Sequence, residues 1–270
     1  MGELLSTRQI ATFVARGFLR FDALLGPEAC RGLLAEVESD RHLVGASYGM
    51  RLSEIWPEAP ALRGIFADPR VLGIVTSLVG ADPIYDHHFP HVTQPGHRHG
   101  ENLHQDAIFD PRPFAFDIQI SIFPQETTQA MGGTLIVPGS HFRRVNEGDI
   151  HRYQHLRGQQ QIVCPAGTFV VWHNNLWHSG RTNRSTERRT MFKLRLQPRE
   201  RQYRTWALGD AGDPEIDRIL DTPEPWHGVD GRIEVMQRRA LFRYLSGELP
   251  GPQAAHFAHY WDRAVEPLGR

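Results

Sequence analysis

The sequence predicts a mainly β core that is flanked by helices at both ends of the chain. Apolar residues recur with a helical period up to about residue 80 and again after residue 230. Between these parts, short runs rich in β-branched residues alternate with turn-forming Gly and Pro, which is typical of strands. A β-barrel or sandwich of 270 residues is usually one domain, so we expect a single domain over residues 1–270.

The composition indicates a globular protein and argues against several classes of partner. The chain has 30 basic and 31 acidic residues, so no overall basic excess favours nucleic acid. Two cysteines are too few for a disulfide framework, which favours a reduced, cytoplasmic protein. The first residues lack the pattern of a signal peptide, and no apolar run is long enough to span a membrane. We expect a small-molecule partner and a monomer or homodimer.

The N-terminal part, residues 1–82, begins with a helix, a strand and a second helix. Ser6 is a typical N-cap for the first helix, and Gly17 is expected to end it. A short strand follows at residues 18–21. The second helix begins near Pro27, where proline is favoured in a first helical turn.

The rest of the N-terminal part is predicted to be irregular over residues 41–68 and helical after Pro69. The irregular prediction rests on two prolines in this stretch. Gly80 is expected to end the helix. Its predicted apolar face comprises Val71, Leu72, Val75, Leu78 and Val79.

The middle part, residues 83–198, carries the predicted strands of the core. Ile118, Ile120 and Ile122 are expected to line the interior of a barrel. Gly and Pro residues near positions 132 and 138 predict tight turns. The strands are predicted at residues 84–92, 114–123, 135–137, 167–172 and 189–195.

The C-terminal part, residues 199–270, is predicted to cover the core. Residues 199–229 are rich in loops, and a last helical piece is expected at residues 253–265. A helix is predicted at residues 230–245. Its predicted apolar face comprises Ile233, Met236, Ala240, Leu241 and Tyr244.

A histidine and a carboxylate two residues apart, His104 and Asp106, form a candidate metal site. Strand side chains alternate between the two faces, so these two would point to the same side. Two His ligands and one carboxylate form the set that holds non-haem Fe(II) for oxygen activation. The third ligand would be His178, with His173 as its competitor. A second metal site at His97 and His99 is the weaker alternative.

Arg189 is the candidate partner of an anionic co-substrate. A guanidinium binds a carboxylate through two parallel hydrogen bonds. Eleven residues separate Arg189 from His178, which is enough chain for a turn and a return strand. Such an arginine would suit 2-oxoglutarate, whose other end chelates the metal. Arg188 would point to the opposite face of the strand, so only one of the two arginines can enter the site.

Three segments together resemble the phytanoyl-CoA dioxygenase family of Fe(II)/2-oxoglutarate oxygenases. They are His104-Gln105-Asp106, the run from Gly133 to His141 that ends in Pro-Gly-Ser-His, and His178-x-Gly-x-x-Asn-x-Ser with Arg189. The likeness extends over roughly residues 6–196 and is strongest over 102–195. It implies a double-stranded β-helix, or jelly-roll, fold.

The resemblance also assigns roles to individual residues. It makes His104, Asp106 and His178 ligands of Fe(II), and Arg189 the partner of the distal 2-oxoglutarate carboxylate, with O2 as the third reactant. Thr134 is expected to face the co-substrate. At the position of a cavity tryptophan in the best-known member we align Ile122.

The function implied by the resemblance is hydroxylation of an unactivated C–H bond in a small molecule, such as a natural-product intermediate. Retention of Asp106 disfavours halogenation, because halogenating members of the family replace this carboxylate. Desaturation, epimerisation and cyclisation use the same ligands and stay open. Two other classes also stay open: a non-catalytic metal-binding jelly roll, and a zinc hydrolase that uses the His cluster of residues 97–106.

Overall fold

In a computed structural model, the described part of the chain comprises residues 2–97, 99–106, 112, 114–143, 147–152, 155–225 and 231–247. These residues form two antiparallel β-sheets and seven α-helices. In chain order, the elements are α1 Thr7–Arg16, β1 Phe18–Phe21, α2 Pro27–Glu38, α3 Pro60–Ala67, α4 Pro69–Val79, β2 Ile84–Thr93, β3 Ile118–Phe123, β4 Thr134–Ile136, α5 Glu147–Ile150, β5 Gln160–Ile162, β6 Thr168–His173, β7 His178–Gly180, β8 Arg189–Gln197, α6 Pro214–Asp221 and α7 Gly231–Ser246. Short 3-10 turns occupy Arg41–Leu43 and Ser140–Phe142.

The larger sheet has five strands in the order β1-β6-β3-β8-β2, and the smaller has three in the order β5-β4-β7. In the larger sheet no two consecutive strands of the chain are adjacent, as in a jelly roll, whereas β4 and β5 of the smaller sheet pair directly. A hydrophobic cluster joins the two sheets, with Val170 and Trp172 from the large sheet and Ile136 and Ile162 from the small one. The sheets therefore face one another and leave a cavity at one end.

The other face of the large sheet is covered by the N-terminal helices. Phe13 of α1 and Leu33 of α2 share one buried cluster with Phe169, Phe192 and the isoleucines of β3. The predicted first helix is confirmed in detail: Ser6 and Gln9 form a capping box, and Gly17 ends the helix with φ of 80°. Because both faces of the large sheet are covered, every residue of β3 and β6 is buried.

Several predictions about the N-terminal and central parts are wrong. Residues 60–67 form α3, because Pro60 occupies the first helical turn, where its missing N–H costs no hydrogen bond. Leu72 lies on the exposed side of α4, and Ile74 is buried instead. The strand predicted from residue 114 begins only at Ile118. Ile118, Ile120 and Ile122 point toward the helices and not into the barrel.

The C-terminal part also differs from the prediction. The stretch predicted as loop contains α6, which Asp213 caps by accepting a hydrogen bond from Glu215 N. Helix α7 confirms the predicted helix at 230–245, but its buried face includes Glu234 and Arg238, while Ile233 is 58% exposed. The piece predicted at residues 253–265 lies outside the described residues. Within the described ranges, no helix is both long and apolar enough to cross a membrane.

Candidate metal centre

His104, Asp106 and His178 converge in the cavity between the two sheets. His104 belongs to no long strand and pairs with His178 through an isolated bridge, in which the two backbone hydrogen bonds measure 2.9 and 2.8 Å. Ligand atoms of the three side chains all lie within 4.8 Å of one another. His178 Nε2 is 3.6 Å from Asp106 Oδ2, and His104 Nε2 is 3.9 Å from Asp106 Oδ1. Two ligands of one metal ion are about 3 Å apart at bond lengths near 2.1 Å, so a small inward movement would suffice.

Hydrogen bonds fix both imidazoles with Nε2 available for a metal. Nδ1 of His104 lies 2.8 Å from Asn102 O, and Nδ1 of His178 lies 2.9 Å from Leu176 O. A carbonyl oxygen can only accept, so Nδ1 of each neutral ring carries the proton and Nε2 presents its lone pair. Backbone carbonyls commonly orient metal-binding histidines in this way.

The charge states at this cluster also suit a metal ion. Burial lowers the pKa of His178 to about 4, so its ring is neutral near pH 7. Burial by itself would raise the pKa of the Asp106 carboxyl, but the nearby His178 and Lys193 together hold that pKa well below its ordinary value. Metal binding requires a neutral imidazole and an ionised carboxylate. His178 and Asp106 therefore both have the protonation state that a metal ligand needs.

Arg189 lies in the same cavity and is 6% exposed. Its Nη1 donates to Met131 O over 2.6 Å and to Gly133 O over 3.1 Å, and its Nη2 donates to Thr93 Oγ1 over 3.1 Å. Burial lowers the pKa of Arg189, but a guanidinium stays charged in proteins. These bonds hold the side chain and use only part of its five N–H donors, so the others can bind a carboxylate.

The turn between His178 and Arg189 is held by Asn183, as the sequence predicts. Asn183 Nδ2 donates to Thr93 O and to Glu187 O, at 3.2 and 2.8 Å, and Asn183 Oδ1 accepts from Ser185. The turn returns the chain as β8, which places Arg189 inside and Arg188 outside. Arg188 forms an exposed ion pair with Glu38, so the prediction that only one arginine enters the site is confirmed.

Polar groups that no described residue satisfies face the cavity near the metal cluster. Gln119 on β3 is fully buried, and neither its amide nitrogen nor its amide oxygen has a hydrogen-bond partner in the described part of the chain. The same holds for Nε1 of Trp172 on β6. Thr134 also lines this cavity. Because unbonded buried polar groups are costly, these atoms indicate that a polar ligand or water completes the site.

The other histidines considered as ligands, His173, His97 and His99, are not part of this cluster. His173 is buried against Phe116 and His141, and neither histidine lines the cavity. His97 and His99 do line the cavity, but no ligand group of three or more among the described residues includes them. The structure thus brings His178 and not His173 to His104 and Asp106.

Several residues of this cavity were not predicted from the sequence, among them Lys193, Glu101 and Gln119. Lys193 Nζ donates to Asp106 Oδ2 over 2.9 Å, and Glu101 accepts from Gly180 N over 2.8 Å. A signal was available for two of them, because Gln119 and Lys193 are polar residues that alternate with apolar ones along β3 and β8. Ile122, which we align with the cavity tryptophan of the best-known family member, is buried in the cluster that contains the N-terminal helices.

Comparison with protein-family models gives one match. The model of the phytanoyl-CoA dioxygenase family matches residues 13–191, which is more than half of the chain and contains all three residues of the metal cluster. The search of curated proteins found no match.

Solved structures with the same fold include enzymes of differing reaction type. The carbocyclase SnoK from nogalamycin biosynthesis is 19% identical, with a TM-score of 0.56, and the match covers 80% of this chain and 94% of that one. EctD from S. alaskensis, solved with 2-oxoglutarate and 5-hydroxyectoine, is 19% identical with a TM-score of 0.55, covering 72% and 76%. The epimerase SnoN, in complex with Fe3+, α-ketoglutarate and nogalamycin RO, is 14% identical with a TM-score of 0.54, covering 71% and 83%. These matches confirm the predicted jelly-roll fold.

Proposed function

This chain belongs to the phytanoyl-CoA dioxygenase family, and from that premise we propose that it is an Fe(II)- and 2-oxoglutarate-dependent dioxygenase of a small molecule. The observation that carries the proposal is one cavity that holds both the metal cluster and Arg189. His104, Asp106 and His178 are the proposed metal ligands, and Arg189 is the proposed partner of the distal 2-oxoglutarate carboxylate. Thr134 is proposed to contact the same co-substrate.

The residues present fit this pair of cofactors. Two imidazole nitrogens and one carboxylate oxygen are the donors that non-haem Fe(II) takes in oxygenases, and they leave coordination positions open. The unsatisfied amide of Gln119 and the indole N–H of Trp172 offer further polar contacts to whatever fills the cavity. Two solved structures of this fold, EctD and SnoN, were obtained with 2-oxoglutarate or α-ketoglutarate, and SnoN also with Fe3+.

Iron and 2-oxoglutarate, when bound, supply the activation of O2, and the protein positions the reactants. Asn102 O and Leu176 O orient the two imidazoles, and Lys193 and the cavity wall hold the Asp106 carboxylate. Met131 O, Gly133 O and Thr93 Oγ1 hold Arg189 so that its guanidinium enters the cavity. Because these supports come from several different elements, the fold itself sets the distance between metal and anchor.

Hydroxylation of an unactivated C–H bond is the reaction that we propose. Asp106 is the proposed carboxylate ligand, and it would occupy the metal coordination position that a halide needs for halogenation. Halogenation is therefore disfavoured. Desaturation, epimerisation and cyclisation stay as alternatives, since solved structures of this fold include a carbocyclase and an epimerase. The substrate is proposed to be a small natural-product intermediate, as in nogalamycin biosynthesis for SnoK.

The test is an anaerobic titration of the metal-free protein with Fe(II) and 2-oxoglutarate, followed by visible absorption. A weak metal-to-ligand charge-transfer band should form in the wild type and in His173→Ala, and should be lost in His104→Ala. Addition of O2 should then release succinate and CO2.

Two other results would each favour a different class of protein. No band with both ligands in excess would refute the oxygenase and favour a non-catalytic metal-binding jelly roll. Hydrolytic activity that depends on zinc and consumes no O2 would favour the zinc hydrolase.

A further inference from the structure

Lys193 places a positive charge directly beside the candidate metal centre. It lies on β8, and its Nζ donates to Asp106 Oδ2 over 2.9 Å. The lysine side chain is 12% exposed and the Asp106 side chain 15%, so water screens this pair only weakly. Because Oδ2 is also 3.6 Å from His178 Nε2, any ion held by the three ligands would lie within a few ångströms of the ammonium group.

Lys193 and Arg189 face the same cavity from one strand. They are four residues apart on β8, so their side chains share a face and their Cα atoms are separated by about 13 Å, at about 3.3 Å per residue. Both side chains are long and bend toward the cavity, with Met191 between them. A short dicarboxylate with one end at the metal and the other at Arg189 would therefore pass along this strand, and its metal-binding end would lie next to Lys193.

The ammonium group acts differently on a bare metal ion and on an ion with a bound anion. It repels a divalent cation across a short, poorly screened distance and also occupies one oxygen of a metal-binding carboxylate. The same charge attracts a 2-oxo acid, whose carboxylate reaches the metal and offsets the repulsion. One lysine can thus disfavour the metal alone and favour the metal together with its co-substrate.

We propose that Lys193 is a positioning residue that couples metal binding to co-substrate binding, so that the metal and 2-oxoglutarate each bind more tightly when the other is present. This inference rests on the proposed function of the site. Coupling of this kind is reciprocal by thermodynamic necessity, and couplings between two sites commonly amount to about 5- to 150-fold in affinity.

The test compares Lys193→Met, which keeps the length of the stem and removes the charge, with Lys193→Arg, which keeps the charge. Arg188→Met is the matched control, because it removes an exposed cation immediately before β8 that pairs with Glu38 outside the cavity. Mn(II) is the metal probe, since its binding can be measured anaerobically by calorimetry and by loss of the free-ion paramagnetic resonance signal. Each protein is titrated with Mn(II), with and without saturating 2-oxoglutarate, and each Mn(II)-loaded protein is titrated with 2-oxoglutarate.

In Lys193→Met we expect Mn(II) alone to bind about fivefold more tightly, and 2-oxoglutarate to bind the Mn(II)-loaded protein about tenfold more weakly, within the range of common couplings. Lys193→Arg should restore most of the co-substrate affinity, and Arg188→Met should match the wild type. The opposite signs of the two changes are the signature of coupling, because loss of a merely structural contact would weaken both.

Two results would overturn the inference. One is a Lys193→Met protein that binds both ligands as the wild type does, and the other is one that binds both more weakly. Failure of the proposed function gives a separate pattern, since wild-type protein would then bind Mn(II) with no effect of 2-oxoglutarate in any variant.

Discussion

Replacing Arg189 by methionine tests the proposed co-substrate anchor most directly. Methionine keeps an apolar stem of similar length and removes the guanidinium. In the structure, Nη1 is held by Met131 O and Gly133 O, and Nη2 by Thr93 Oγ1. The substitution therefore removes the cation that would bind the distal carboxylate and also leaves these acceptors without their donor.

The size of the effect follows from the burial of the site. Arg189 is 6% exposed, so a carboxylate bound to it would form a desolvated pair of opposite charges. Truncation of one partner of such a hydrogen-bonded pair costs about 2 to 5 kcal/mol. At about 1.4 kcal/mol per factor of ten, the Kd for 2-oxoglutarate should rise roughly 30- to 4,000-fold.

The assay is the visible charge-transfer band of the anaerobic Fe(II) protein, titrated with 2-oxoglutarate. Arg188→Met is the matched control, because Arg188 precedes Arg189, points outward and pairs with exposed Glu38. Its 2-oxoglutarate affinity should stay within about twofold of the wild type, since exposed ion pairs contribute at most about 1 kcal/mol to stability and this one is remote from the cavity. Arg189→Lys should fall between the two, because lysine keeps the charge and loses the planar fork.

The assignment of Arg189 as the co-substrate anchor would be refuted if Arg189→Met saturated at wild-type concentrations of 2-oxoglutarate while circular dichroism showed a folded protein. It would be equally refuted if Arg188→Met and Arg189→Met weakened binding by the same factor. Either result would mean that the buried guanidinium serves the turn and the strand and binds no co-substrate.

Three further predictions concern stability. Burial lowers the pKa of His88 to about 4. Below about pH 6.5 the unfolded chain therefore binds a proton at this histidine that the folded chain excludes, and the free energy of unfolding should fall by about 1 to 2 kcal/mol between pH 6.5 and 4, after allowance for partial exposure. In urea unfolding, His88→Gln should lose less stability than the wild type over the same pH range. Asn183→Ala should lose about 1 to 3 kcal/mol in urea unfolding, because a fully buried amide bridges Thr93 and Glu187. Gly132→Ala should lower the thermal midpoint by several degrees, because φ is 86° and a Cβ atom would contact the Thr182 carbonyl.

Much of the architecture could be predicted because it depends on local chemistry. The capping box at Ser6, the left-handed Gly17 and the glycine pair at 132–133 occupy the places that the sequence indicates. The start of β8 follows the predicted alternation, with Arg188, the residue before the strand, outside and Arg189 inside. Each of these features is set by a few consecutive residues, so no tertiary contact is needed to find it.

The errors arise where packing overrides local pattern. Helix α7 buries Glu234, which pairs with Arg143 over 2.5 Å, and leaves Ile233 exposed, so hydrophobicity alone selects the wrong face. Pro60 predicts irregular chain in the sequence analysis but begins α3, because proline is favourable in the first turn of a helix. Helix α6 is hard to recognise in the sequence, because only Ile216 and Leu220 form its buried face and most of its other residues are charged.

The metal cluster has a different origin, because His178 is distant in sequence from His104 and Asp106 and meets them only through topology. The bridge between His104 and His178 joins a segment before β3 to strand β7, and no periodicity predicts such a pairing. Hydrophobicity also does not show which face of a central strand lines the cavity, because every residue of β3 and β6 is buried. What marks the cavity face is the placement of polar residues. Gln119 on β3 and Lys193 on β8 alternate with apolar residues and line the cavity, where burial would be costly without a ligand or a charge to contact. In a sheet covered on both sides, polar residues inside the strands therefore point to the functional face, and their partners identify its chemistry.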